Sequence, residues 1–205
     1  MLTTLHHDEE TVFRGLTLLL CSLFGSVLMQ AVNTGGTTTV ATYFTKREGI
    51  VALPIRFGMA LSGAGLALYI LDISVAQYFD LFIPMWARAL AVATALAGIW
   101  LMRWTLATLG KNYSMSLHIK ETQKLVDFGP YAWVRHPMYT CLLIVFISLT
   151  FITANILASL GGLVSIFSVM ILRTKLEESM MFDHFGKGYT QYCERTPYRY
   201  VPYVM

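Results

Sequence analysis

Four charge-poor stretches interrupt the polar positions of this 205-residue chain. The first covers residues 15–32 and relaxes into Gly35-Gly36 and a run of threonines. The second covers roughly residues 50–71 with Arg56 inside it, and the third roughly residues 81–104 with Arg88 inside it. The fourth, residues 137–172, carries no charge at all. A helix needs about 20 apolar residues to cross a bilayer, so each of the first three fits one crossing. As a single helix the fourth would be about 54 Å long against a hydrocarbon core of about 30 Å. It therefore reads as a hairpin of two short helices turning near Thr153-Ala154-Asn155, which makes five crossings.

Lysine and arginine gather on the cytoplasmic side of membrane proteins, and their distribution fits this count. The first link holds Lys46 and Arg47, the second only Asp72 and Asp80. Lys111, Lys120, Lys124 and Arg135 follow the third span; Arg173, Lys175, Lys187, Arg195 and Arg199 follow the fifth. The N-terminus is thus expected outside and the C-terminus in the cytoplasm. Two crossings between Pro137 and Leu172 also bring Arg135-His136 and the polar stretch RTKLEES to the same membrane face. Gly58, Ser62, Gly63 and Gly65 in the second span, with Gly161-Gly162 in the fifth, suit close helix packing. SGAGLAL is not a dinucleotide fingerprint, since its third glycine is missing and no strand precedes it. Arg56 and Arg88 lie near span ends, within reach of the interface by snorkelling.

Composition agrees with a bilayer protein: 56% hydrophobic, 13% charged, mean hydropathy +0.57. A soluble chain is about a quarter charged. The formal charge of +3 is too small to argue for nucleic acid. Cys21, Cys141 and Cys193 have no metal-ligand or disulfide spacing, and the first two lie in apolar runs as packing residues. His6, His7, Asp8, Glu9 and Glu10 stand where a secretory leader would carry lysine or arginine, so no signal peptide is expected. The expected fold is all-α and integral to the membrane, with no Rossmann domain and a cofactor pocket on the cytoplasmic side. Residues 1–105 would form the first three spans; residues 106–205 would hold the catalytic region, with the hairpin and a cytoplasmic helix.

The chemistry concentrates at two places. In GPYAWVRHPMYT, Gly129-Pro130 marks a turn, and Pro137 suits the first turn of a helix, with His136 near its N-cap. Arg173 and Glu177 are four apart and share a helix face, while Glu178 points about a quarter-turn away. Separately these are bland: a lipid phosphate on Arg135, a capping histidine, an intrahelical ion pair. Together they collect two arginines, a histidine, two carboxylates and the aromatics Tyr131, Trp133 and Tyr139. No metal cluster and no nucleophile–base–orienter triad is present in the sequence. The set suits a zwitterion with a cationic centre: carboxylates neutralise an ammonium, arginine takes a carboxylate, and aromatic faces stabilise a sulfonium or stack an adenine.

GPYAWVRHPMYT, followed by Glu177-Glu178, FGKGYTQY and RTPYRYVP, resembles the integral-membrane methyltransferases, the superfamily of isoprenylcysteine carboxyl methyltransferases and phospholipid N-methyltransferases. The resemblance covers residues 109–202. It implies S-adenosylmethionine as cofactor, held by Gln123, Lys124, Leu125 and Val126, by Tyr131, by His136, Pro137, Met138 and Tyr139, and by Glu177 or Glu178. Where the family commonly has histidine, Gln123 keeps a hydrogen-bonding side chain. Arg173 matches an arginine that orients the substrate, and Arg173, Glu177 and Arg135 are the candidate catalytic residues. The expected activity is methyl transfer to a lipid-like or prenylated acceptor at the cytoplasmic face, isoprenylcysteine-type carboxyl methylation being preferred. Phospholipid amine methylation is the alternative and would need a base, a glutamate or His184; a small apolar acceptor is a third. A non-catalytic protein binding anionic lipid is the reading outside enzymology. The acceptor is expected to enter laterally from the bilayer and the cofactor from the cytoplasm, with no metal and no nucleic acid involved.

Overall fold

The computed structural model describes residues 2–35, 52–114, 119 and 122–204, with side chains from residue 8 onward. Lys46, Arg47 and Lys120, which entered the orientation argument, lie outside the described residues. Among the described residues seven α-helices follow in order: α1 Leu2–Gly35, α2 Ala52–Ile70, α3 Met85–Leu109, α4 Pro137–Thr153, α5 Ile156–Ser168, α6 Thr174–Phe185 and α7 Lys187–Arg195. Among the described residues there is no strand, only an isolated bridge between Asp80 and Asn155. Four described helical stretches are long and apolar enough to cross a membrane: Asp8–Gly35, Ala52–Ile70, Met85–Asn112 and Ile156–Phe185. Pro137–Thr153 is apolar but shorter, at 17 residues. The chain is an integral, multi-pass membrane protein, and the hairpin expected in the fourth stretch is present.

That hairpin turns where its length demanded. Ala154 adopts a left-handed conformation (φ 47°) at the end of α4, and Asn155 caps α5 by accepting the Ala158 N–H. The Asn155 side chain is fully buried and also donates to the Ala76 carbonyl at 2.7 Å and to Asp80 at 2.8 Å. One amide thus fastens the link between α2 and α3 to the hairpin tip. The third span starts later than expected, at Met85. Pro84 occupies the N-cap with extended backbone, and Leu81 donates instead to the Ala154 carbonyl. Proline there begins a helix without leaving an orphan N–H, but a helix does not extend back through it.

Arg88 departs from the sequence expectation. It does not snorkel: it is 6% exposed and points into the protein. Its guanidinium forks onto Glu10, its Nε donates to the Ile152 carbonyl at 3.0 Å, and its plane lies 3.8 Å from the Phe13 ring centroid. A buried guanidinium is tolerated only when paired and hydrogen-bonded. Glu10, an acid ahead of the first apolar run, supplies the pairing and ties α1 to α3 and to the end of α4. Arg14 pairs with Asp72 nearby, at 2.5 Å.

α2 lies on α5, α5 on α4, and α4 on α3, with α1 against α3 and α4. The α2–α5 contact depends on missing side chains. A Cβ at Gly161 would meet the Gly58 carbonyl and the Ser62 backbone nitrogen. Ser165 donates to the Ile55 carbonyl at 2.8 Å and Ser62 to that of Ala158 at 3.3 Å, hydrogen bonds that only this close approach permits. Cys141 is fully buried and Cys21 packs against the same core; all three cysteines are free.

From Ile156 to Phe185 the chain is one continuous helix, widened at a π-helical turn, Val169–Arg173. Such a turn frees carbonyls from the α pattern. Here Thr174 donates its hydroxyl to the Val169 carbonyl, while Tyr200, from the C-terminal segment, donates to the Met170 carbonyl at 2.6 Å. Gly161→Leu is expected to lower the unfolding temperature in detergent, at a cost of about 1–3 kcal/mol. The same change at Gly63, where a Cβ would meet nothing within 4 Å, should leave it near wild type.

Candidate active site

Gly110 ends α3 at φ 52°, and Lys124 donates its backbone N–H to the Asn112 side chain at 2.9 Å. Residues 123–127 then run without helix to Gly129, whose φ of 62° is a left-handed value that favours glycine. A 3-10 turn, Gly129–Ala132, leads to Arg135 and His136 at the start of α4.

The C-terminal segment, RTPYRY, lies across this start as a strap. Arg135 and His136 donate their backbone N–H groups to the carbonyls of Tyr198 (2.9 Å) and Arg199 (2.8 Å). Thr140 donates its hydroxyl to the Tyr200 carbonyl, Arg135 reaches the Thr196 carbonyl, and Tyr192 of α7 donates to the Tyr131 carbonyl at 2.8 Å. The strap thus takes the backbone donors just ahead of α4, whose first residue, Pro137, has no N–H to satisfy. The His136 imidazole makes no cap hydrogen bond.

It lies between two carboxylates instead. Glu177 and Glu178 follow one another on α6 and point about 100° apart. Glu178 is 7% exposed and receives Arg135 Nε at 3.0 Å and the Arg199 fork at 2.7 and 3.2 Å, with His136 Nε2 at 3.4 Å. Glu177 takes the Tyr139 hydroxyl at 2.6 Å and Arg173 Nε at 2.9 Å on one oxygen; its other oxygen lies 3.6 Å from His136 Nδ1. The His136 ring is stacked on Tyr139, 5.5 Å between centroids and 5° between planes.

Beside this array is an open cavity of about 160 Å³. Gln123, Lys124, Leu125, Val126, Tyr131, Arg135, His136, Met138, Tyr139 and Glu177 all line it. Three other sequence candidates do not. Pro137 is buried and sets the helix start, Glu178 faces the strap, and Arg173, outside the lining, donates to Glu177. Trp133 is turned away and 57% exposed, edge-on to Trp104. His184 is exposed on α6, outside the lining.

Sequence reasoning missed Tyr113, Met180, Met181, Tyr189 and Tyr192 in the lining. The two methionines lie three and four residues past Glu177, a helical spacing that signals a shared face; the tyrosines arrive from other segments with no such signal. Glu177 is the one acid among the described lining residues, opposite five tyrosines and three methionines. Burial pushes the Tyr131 phenol well above its usual range, so it stays neutral and offers a ring face rather than a base. Among the described residues no three His, Cys, Asp or Glu side chains gather as a metal would require.

Removing Glu178 would leave two guanidinium groups facing a buried gap. Glu178→Ala should therefore cost about 3–5 kcal/mol of stability, read as a lowered unfolding temperature in detergent. Glu177→Gln, which keeps its hydrogen-bonding shape beside the open cavity, should cost clearly less.

Comparisons with known proteins agree with this architecture. A family model described as phospholipid methyltransferase matches residues 86–188, half of the chain. Protein-S-isoprenylcysteine O-methyltransferase B of Arabidopsis thaliana is 27% identical over 141 residues, 64% of this chain and 71% of that protein. The Xenopus laevis protein-S-isoprenylcysteine O-methyltransferase is 27% identical over 125 residues, 58% of this chain and 42% of its own length. That of Rattus norvegicus is 26% identical over 117 residues, 55% and 40% respectively. The chain thus spans about two fifths of the frog and rat proteins. The structure of the eukaryotic intramembrane Ras methyltransferase ICMT shares the fold, with a TM-score of 0.54 and 21% identity over 91% of this chain and 63% of that one.

Proposed function

The chain belongs to the phospholipid methyltransferase family, and we propose that it methylates a lipid-like acceptor from S-adenosylmethionine. The catalytic region is then residues 106–205, with residues 1–105 anchoring it. The observation that carries the reading is Glu177: a lone carboxylate, aimed by Tyr139 and Arg173 into a tyrosine-lined cavity beside the membrane helices.

The residues present fit that cofactor. A carboxylate and several tyrosine faces suit a sulfonium and an adenine, Lys124 and Arg135 suit an amino-acid carboxylate, and the backbone of residues 123–126 offers further donors. When bound, the cofactor supplies a methyl group on a positively charged sulfur with a neutral leaving group. What the protein contributes is alignment and a dry setting. Glu177 and the tyrosine rings hold the positive end of the ligand. His136, fixed by stacking on Tyr139 and by the strap, keeps Glu177 and Glu178 apart and oriented. Arg173 braces Glu177 through Nε and is the residue proposed to orient an anionic acceptor.

Isoprenylcysteine-type carboxyl methylation is the preferred activity. A carboxylate acceptor needs no general base, and His184, the histidine considered for that task, lies outside the cavity. The names of the sequence relatives support the same acceptor class. Phospholipid amine methylation is the second reading, supported by the family description, and would need Glu177 as the base.

Labelled-methyl transfer in liposomes, with a farnesylcysteine analogue offered beside phosphatidylethanolamine, tests the proposal. Label is expected in the prenylated acid; label in the phospholipid would favour the second reading, and none in either would overturn both. His136→Ala and Glu177→Ala should each weaken S-adenosylmethionine binding by about tenfold or more in calorimetry, the loss of one charge-assisted contact. Arg173→Ala should keep Kd within a few-fold yet lower kcat/KM for the acceptor by about 10²-fold. Arg173→Lys should recover part of that, since a point charge does not replace a planar fork. We also propose that the cavity faces the cytoplasm: single cysteines at Gln77 and Lys187 should label from opposite sides, with Lys187 on the cytoplasmic one.

A further inference from the structure

A second feature lies along α5 and the start of α6, sharing only Arg135 with the cavity above. Two grooves share Ile171. The one nearer the polar end is lined by Arg135, Lys175 and Arg199, with no carboxylate in its lining. The other is apolar, running along Leu160, Val164 and Phe167. Its single hydroxyl, on Ser168, is turned back to the Val164 carbonyl at 2.7 Å. From Leu160 to Ile171 the helix rises about 16 Å, close to half the thickness of the hydrocarbon core, the depth one leaflet occupies. A basic recess thus stands at headgroup level, continuous with an apolar channel one leaflet deep.

The two exposed cations of the recess are available to a ligand. Lys175 is exposed and forms no ion pair with a carboxylate among the described residues. Arg199 has 47% of its side chain exposed; Nε and one terminal nitrogen are on Glu178, and its outer edge faces the groove. Glu178, behind the recess, offsets one of three positive charges. We propose that this composite groove holds one anionic phospholipid as a resident ligand, its phosphate between Lys175 and Arg199 and an acyl chain along α5. A zwitterionic headgroup would bring an ammonium into the same positive field, so the site discriminates for net negative charge. It is distinct from the cavity beside Glu177, since Lys175 and Arg199 line the recess and not that cavity.

Such a lipid would do more than fill a surface. The Arg199 carbonyl accepts the His136 N–H and its guanidinium holds Glu178. A phosphate on the outer edge of Arg199 therefore ties the strap, and through it the placement of His136, to the bilayer.

The test needs neither cofactor nor acceptor, so its outcome is independent of the methyl-transfer reading. The full chain is placed in nanodiscs of phosphatidylcholine containing phosphatidylglycerol or phosphatidylethanolamine. Lipid retained after mild extraction is then counted by native mass spectrometry. One phosphatidylglycerol per chain is expected in preference to the other two. Lys175→Gln should weaken its retention about tenfold, as for a lost charge-assisted contact, and Val164→Trp should displace it by filling the channel. Lys187→Gln, an equal loss of charge on α7, should change nothing. Equal retention of phosphatidylcholine or phosphatidylethanolamine, or undiminished phosphatidylglycerol in Lys175→Gln, would overturn the proposal.

Discussion

A carboxylate taken out of water must be surrounded by cations, and Glu178 draws its partners from both sides of the sequence. Arg135 and His136 come from more than forty residues upstream, and Arg199 from twenty-one residues downstream. The hairpin of α4 and α5 makes the first meeting possible, since it returns the chain to the face it left. The strap makes the second possible, and its carbonyls accept the N–H groups of Arg135 and His136, just ahead of α4. With Glu178 committed to these partners, its neighbour Glu177 is free to face the cavity. Two identical residues in succession thus have different tasks, set by the helix turn between them.

The opposite end of the molecule obeys the same rule with the signs exchanged. There the buried charge is Arg88, and Glu10, the Ile152 carbonyl and the Phe13 ring surround it. Asn155 does for polar backbone what Glu10 does for charge, donating to two groups of the preceding link and accepting from its own helix. Helices in a bilayer gain little from hydrophobic association with one another, so close packing and polar contacts carry more of the specificity. The glycine-lined α2–α5 contact is the packing part; the two buried charge centres, one at each end, are the polar part.

What the sequence disclosed follows from which interactions are local. The hairpin turn at Ala154, the shared face of Arg173 and Glu177 and the divergence of Glu178 all derive from helix geometry, and the structure contains each of them; the span ends moved, the third beginning only at Met85. Residues 123–126 and 136–139 were found through their resemblance to a family pattern, and all but Pro137 line the cavity. The contacts that escaped are long-range. Nothing near Arg88 in the sequence announces Glu10, seventy-eight residues away. Tyr113 and Tyr189 reach the cavity from segments whose own patterns say only that they are polar connections. Trp133 was misplaced for the converse reason: an aromatic beside the motif was assumed to serve it, whereas its partner is Trp104 on the outer face of α3.

The widened turn before α6 has an effect on phase. A π-helical turn absorbs an extra residue, and each residue of an α-helix corresponds to about 100° of rotation. Were Val169–Arg173 wound as ordinary α-helix, every later side chain would advance by one position around the axis. Leu176 would then stand where Glu177 now meets His136, and Glu177 would fall into the ion cluster now filled by Glu178. Tyr200, by donating to the carbonyl that the wider turn releases, selects one of two windings for the same residues. An aromatic hydroxyl near the far end of the chain thus bears on which carboxylate faces the cavity and which the ion cluster.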